Sequence, residues 1–179
     1  MPFIILDRDG VINYDSDDYI KSPEEFHVIP GGLEAIAKLN QAGYRVLVAS
    51  NQSGVARGFY SIETLEKIHA KLHQQLAEVG GKIEEIFYCP HHPNEDCPCR
   101  KPKPGMFHQI QEKYDVDFAT TYFVGDTLSD IHVATAVGCK PLLILSIKGK
   151  QTLEKHPEVA RFPHYESLAM AVDFILSAR

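Results

Sequence analysis

Five short apolar runs, each closed by small or acidic residues, alternate along this chain with stretches of helical spacing, and this alternation constrains the fold more than any other feature. The runs cover residues 3–6, 44–49, 83–88, 122–124 and 142–145. Between them Leu33, Ile36, Ala37 and Leu39 mark one amphipathic helix, and Ile62, Leu65, Ile68, Leu72 and Leu76 mark another. Ser61 suits the N-cap of the second, and Gly80-Gly81 its stop. Shorter helices are predicted over 105–114, 128–137 and 167–177. Strands joined by helix-length connections imply an α/β fold: a parallel sheet with helices on both faces, and ligands beyond the carboxyl ends of its strands. The residues directly after each strand are therefore the candidates for chemistry.

A chain of 179 residues that is 44% hydrophobic can bury one core, so a single domain over 1–179 is expected. Residues 13–30 and 90–104 are the long irregular stretches, each too short for a substantial second domain. A net charge of -6 with mixed signs gives no basic face, which argues against nucleic acid. The opening Met1-Pro2-Phe3-Ile4-Ile5-Leu6-Asp7 lacks a basic leader, and its apolar run is too short to span a bilayer. A cytoplasmic monomer with no membrane partner is expected.

The first strand is followed by Asp7-Arg8-Asp9-Gly10-Val11, the second by Ser50-Asn51-Gln52-Ser53-Gly54, and the fourth by Gly125-Asp126. An Asp-x-Asp alone is more often a cap or a turn, but three such segments at three strand ends make one coherent site. Phosphoryl transfer to a carboxylate needs a nucleophile, a cation, donors for the equatorial oxygens and an acid for the leaving oxygen. Asp7 can attack, Asp126 can help hold a hard divalent cation, and Ser50 and a lysine from Arg100-Lys101-Pro102-Lys103 can bind phosphoryl oxygens. Asp9 can serve as acid and base, a role suited to a carboxyl whose surroundings raise its pKa.

Cys89-x-His91, five residues, then Cys97-x-Cys99 offers the three thiolates and one imidazole of a closed structural zinc site. His92 adjoins His91 and is the competing ligand, and thiolate-rich sites also accept iron. Such a loop would fix Arg100 and Lys101, which follow it directly. Cys139, beside an apolar run, reads as a core cysteine.

Taken together, Asp7-x-Asp9-Gly10-Val11, Ser50-Asn51, the lysine segment, and Gly125-Asp126 with Asp130 resemble the four motifs of the haloacid dehalogenase superfamily, over nearly the whole chain. The resemblance implies a Rossmann-like sheet with the first strand central, a minimal cap, and catalytic Mg2+ on Asp7, the backbone carbonyl of Asp9 and Asp126. Within the superfamily, Asn51-Gln52-Ser53-Gly54-Val55-Ala56-Arg57-Gly58 and Cys89-Pro90-His91-His92-Pro93, continued by Cys97-x-Cys99-Arg100-Lys101-Pro102-x-Pro104-Gly105-Met106, look like the D,D-heptose 1,7-bisphosphate phosphatases. That resemblance implies a phosphorylated sugar substrate on the cytoplasmic route to nucleotide-activated heptose. It gives Asp7 as nucleophile, Asp9 as acid and base, Ser50 and Lys101 as phosphoryl stabilisers, structural Zn2+ on Cys89, His91, Cys97 and Cys99, and Arg100 as substrate recogniser. Asp15, Ser16, Asp17, Asp18, Asn51, Gln52 and Ser53 would contact substrate too, although three acidic groups are odd beside a bisphosphate. Thr127 is also placed in the substrate site, at a position often occupied by lysine in the enterobacterial form. Histidinol-phosphate phosphatases share the zinc loop and are the rival reading; a noncatalytic zinc-stabilised binding protein is the rival from another class.

Overall fold

The structure, a computed structural model, describes residues 1–178. Its sheet runs in the order β3-β2-β1-β4-β5-β6, all parallel, with β1 Phe3–Leu6, β2 Arg45–Asn51, β3 Glu85–Cys89, β4 Tyr122–Gly125, β5 Lys140–Ile144 and β6 His164–Tyr165. This is the doubly wound order, and β1 is central as expected.

The strands alternate strictly in what they bury. Ile4, Leu6, Val46, Val48 and Val124 face α1 (Gly32–Gln41), α2 (Ile62–Glu78) and α6 (Leu168–Ser177), while Ile5, Leu47, Ala49 and Phe123 face α3 (Gly105–Tyr114) and α4 (Leu128–Val137). Both faces are thus covered, which is why the strands read as nearly continuous apolar runs. Burying one such Ile or Leu contributes about 1.5–3 kcal/mol. Ser61 caps α2 by accepting from the Thr64 N–H, as the sequence predicts.

Among the strands and α-helices of the described residues, two escape the sequence reading. Helix α5 (Ile147–Lys155) is mostly polar and buries Gly149 and Thr152 in place of large apolar side chains, and β6 is only two residues long. The second strand also reaches Asn51, so Ser50 and Asn51 are its last residues rather than the loop after it. Between β1 and α1 the described chain carries a single 3-10 turn, Pro23–Glu25, in place of a helical cap.

Candidate active site

Parallel register brings the strand ends together. Leu6 lies beside Val48 on one side and Val124 on the other, so Asp7, one residue beyond Leu6, and Ser50 and Asp126, each two residues beyond its register partner, emerge around one crevice. The Asp7 N–H donates to the Val124 carbonyl at 2.8 Å, holding the turn after β1 against β4. This is the topological switch point, where chain connections leave to opposite sides and a crevice opens. Glycines permit the approach. A Cβ on Gly10, whose φ is +83°, would lie 2.0 Å from Asp126 Oδ2, and one on Gly125 would lie 2.4 Å from Asp130 Cβ.

Lys101 is the hub of the crevice. Its buried ammonium sits 3.1 Å from Asp7 Oδ1 and 2.8 Å from Asp130 Oδ1, and donates to the Ala49 carbonyl at 2.9 Å. Burial favours its neutral form, but Asp130 and Asp7 outweigh that and hold it above the ordinary lysine range. Burial pushes the Asp7 carboxyl well up despite Lys101, with repulsion from Asp130, Asp126 and Asp9 adding to it. Burial and Asp130 likewise push Asp126 up to about 7, against a bond from the Ser146 hydroxyl at 2.8 Å. One ammonium therefore does not neutralise this set of carboxylates. Asp7, Asp126 and Asp130 each offer an oxygen within 4.8 Å of the others, a hard oxygen donor set that suits Mg2+.

The surroundings of Asp9 differ from the expectation. Burial alone would raise its pKa, but the Arg8 charge and bonds from Asn13, Arg8 and Gln52 outweigh it and hold the carboxyl below its ordinary value. Arg8 Nε and Nη2 donate to Oδ1 at 3.0 and 2.8 Å, Asn13 Nδ2 to Oδ1 at 2.8 Å, and Gln52 Nε2 to Oδ2 at 3.1 Å. Arg8 is fully buried, its Nη1 3.1 Å from Nε2 of His69, a ring that burial and the arginine keep neutral, with a pKa near 3. Gln52 also donates to Ser50 Oγ at 2.8 Å, and its own carbonyl accepts from the buried Tyr60 hydroxyl at 2.6 Å. Because Ser50 Oγ already accepts this hydrogen bond, its own hydrogen is free to point elsewhere.

The cysteine loop folds on itself at the end of β3. Sγ atoms of Cys89, Cys97 and Cys99 lie 2.8–3.7 Å apart, beyond the covalent S–S length of about 2.05 Å. His91 Nδ1 faces them at 3.5 Å from Cys89 and 3.2 Å from Cys99. His92 instead caps the turn Pro93–Glu95, its Nδ1 accepting from the Asn94 N–H. Geometry thus separates two adjacent histidines that spacing leaves open. Burial raises the Cys97 thiol, but the Arg100 N–H, the Cys89 thiol, and the N–H and thiol of Cys99 together outweigh it and pull Cys97 down to about 6.

Comparison with known proteins decides the family. A HAD-hydrolase-like family model matches residues 98–171. The D-glycero-beta-D-manno-heptose-1,7-bisphosphate 7-phosphatase of Pseudomonas putida is 55% identical over 155 residues, covering 87% of this chain and 89% of that protein. The chain belongs to the heptose-bisphosphate phosphatase family of HAD-like hydrolases. The Vibrio cholerae member is 36% identical over 92% of this chain and 95% of its own. The crystal structure of the family member from B. bronchiseptica, complexed with magnesium and phosphate, superposes with a TM-score of 0.96 at 46% identity, covering all of both chains.

Seen as a heptose-bisphosphate phosphatase fold, the chain surrounds a cavity of about 280 Å³ whose lining brings Asp7, Asp9, Asp126 and Lys101 together with Asp15, Ser16, Asp17, Asn51, Gln52, Ser53, Arg100 and Thr127. Three expectations need correction. Asp18 is exposed and outside that lining, because Ser16 Oγ bonds its N–H and turns the loop outward. Thr127 reaches the rim, but its hydroxyl is spent in the capping box of α4, donating to Asp130 Oδ2 at 2.9 Å. Gln52 aims its amide at Asp9 and Ser50, so it supports catalytic groups more directly than substrate. Sequence reasoning missed Arg8, Tyr60 and Lys148. Arg8 and Lys148 carry no spacing signal, since their partners come from the adjacent residue and from a distant loop.

Proposed function

We propose that the protein is a single-domain, Mg2+-dependent phosphatase that hydrolyses the 7-phosphate of D-glycero-β-D-manno-heptose 1,7-bisphosphate, leaving heptose 1-phosphate. The reading rests on the Pseudomonas relative at 55% identity, whose name specifies both the β-anomer and the position. The site supports it chemically. Asp7 Oδ1 is tethered by the Arg8 N–H at 2.8 Å and by Lys101, leaving the carboxylate oriented for attack. Attack on phosphorus forms the aspartyl-phosphate while the bond to the sugar O7 breaks. Asp9 gives the leaving oxygen its proton and later takes one from the water that cleaves the acyl phosphate. Since the Arg8 charge and the bonds from Asn13, Arg8 and Gln52 hold Asp9 ionised in the free protein, its acid form arises only with substrate bound, when phosphate charge approaches it. Ser50 and Lys101 bind the equatorial oxygens.

Bound Mg2+ would neutralise phosphoryl charge and rest on Asp7, Asp126 and the backbone carbonyl of Asp9; the Asp9 side chain is committed to Arg8, Asn13 and Gln52. Arg100, half-buried at the cavity, would recognise the substrate, with Asp15, Ser16, Asp17, Asn51 and Ser53 as further contacts. Every group in this scheme comes from one chain, so a monomer suffices. No described helix is long and apolar enough to cross a membrane, and we place the enzyme in the cytoplasm, away from nucleic acid. Phosphate release with Mg2+ from the β-bisphosphate, its α-anomer and histidinol phosphate tests the reading. Preference for the β-bisphosphate is expected; preference for histidinol phosphate would overturn the substrate, and no turnover on any ester would favour a zinc-stabilised binding protein.

Structural Zn2+ would sit on Cys89, His91, Cys97 and Cys99. Metal analysis is expected to find close to one zinc per chain in the wild type and in His92→Ala, and much less in His91→Ala. Equal loss in both histidine variants would refute the ligand assignment. Tyr60→Phe strands the buried Gln52 carbonyl oxygen, which costs about 1–3 kcal/mol of stability. It is expected to lower kcat by roughly tenfold, the order of one such bond, with little change in KM; an unchanged kcat would show that Gln52 holds its place without Tyr60.

A further inference from the structure

Among the described residues lining the active-site cavity, three are cationic: Arg100, Lys101 and Lys148. Lys101 is committed to Asp7 and Asp130. Lys148 stands in the first turn of α5, whose N-cap Ser146 also bonds the Asp126 carboxylate, so this turn is fastened to the catalytic centre. Its ammonium pairs with Asp15 Oδ2 at 2.5 Å, and the two side chains are only partly covered, 44% and 23% exposed. Burial disfavours the charged form, but Asp15, Asp126 and Asp9 raise Lys148 above the ordinary lysine range.

We propose that Lys148 is a substrate-binding residue, its ammonium held over the cavity by Asp15 to take an oxygen of the phosphate remote from the one being cleaved. This rests on the bisphosphate reading above. The pair explains why an acidic loop can border a site for a polyanion: with Lys148 attached, Asp15 contributes no net repulsion. It changes the role of Asp15 from sugar ligand to holder of the lysine. An ammonium has three donors, so it can bind phosphate without releasing Asp15 completely. With Lys101 committed to Asp7 and Asp130, and the Thr127 hydroxyl engaged by Asp130, Lys148 and Arg100 are the cavity-lining cations available to a second phosphate.

The test compares wild type, Lys148→Gln and Lys148→Arg on heptose 1,7-bisphosphate and on heptose 7-phosphate, which lacks the remote group. Lys148→Gln is expected to lower the ratio of kcat/KM for bisphosphate over monophosphate by about ten- to a hundredfold, the range of a charge-assisted bond, chiefly through KM. Lys148→Arg should restore most of that ratio, and its thermal melt controls for folding. An unchanged ratio, or an equal loss on both substrates, overturns the role of Lys148 while leaving the substrate reading intact. Failure of the wild type to hydrolyse the bisphosphate overturns that reading itself, and this inference with it.

Discussion

Asp7→Asn is expected to lower kcat by at least about 10⁴-fold, the scale of losing a nucleophile that acts with its neighbours as a unit, while raising the melting temperature of the metal-free protein. The amide is nearly isosteric but cannot attack phosphorus. Lys101 keeps its bond to Asp130 at 2.8 Å, so the crevice retains its shape. The stability change follows from linkage. Burial raises the folded-state pKa of Asp7 above its unfolded value of about 3.9, so this carboxyl costs native stability progressively as pH rises from there through the folded-state pKa. Removing it helps at neutral pH, and the gain disappears in acid, where Asp7 is protonated in both states. Mg2+ should stabilise the wild type, by about 2.7 kcal/mol at a hundred times its Kd, and the variant much less. A destabilised Asp7→Asn, or one with residual turnover near wild type, would contradict the assignment.

Lys101→Met is expected to be equally inactive but to shift stability in the opposite direction. It removes the cation between Asp7 and Asp130 and leaves carboxylates buried without a counter-charge, a loss of about 3–5 kcal/mol. In a chain of this size that is a fall of roughly 6–20 °C in Tm. Without Lys101 the carboxylates of Asp7 and Asp130 bind protons more tightly, so mild acid should recover part of the loss. The same two substitutions thus separate catalysis from charge balance: both abolish phosphate release, and only one weakens the fold. Equal Tm changes of the same sign would show that the crevice is not governed by its carboxylate excess.

Much of this was legible because strong periodicity is a local property. The five apolar runs and the Ser61 cap lie in the sequence as they do in space, and parallel strands place the residues after them at one edge. The motifs around Asp7, Ser50, Lys101 and Asp126 stand out because each terminates a strand or a ligand cluster. Helix α5 was illegible because it presents mostly polar residues and is held by Ser146 and Thr152 through bonds to Asp126 rather than by an apolar stripe.

Residue spacing and strand polarity alone specify the layered α/β architecture, the set of carboxylates and the four-ligand loop. The tuning of those groups arises from contacts made after folding. Asp9 is held ionised by Arg8, a neighbour in sequence whose effect depends on its burial against His69 and Phe26. His91 faces the thiols because His92 is consumed by a cap. Lys148 reaches Asp15 across more than a hundred residues of chain. Charge interactions depend on distance and burial, and neither is encoded in the order of residues until the chain has folded.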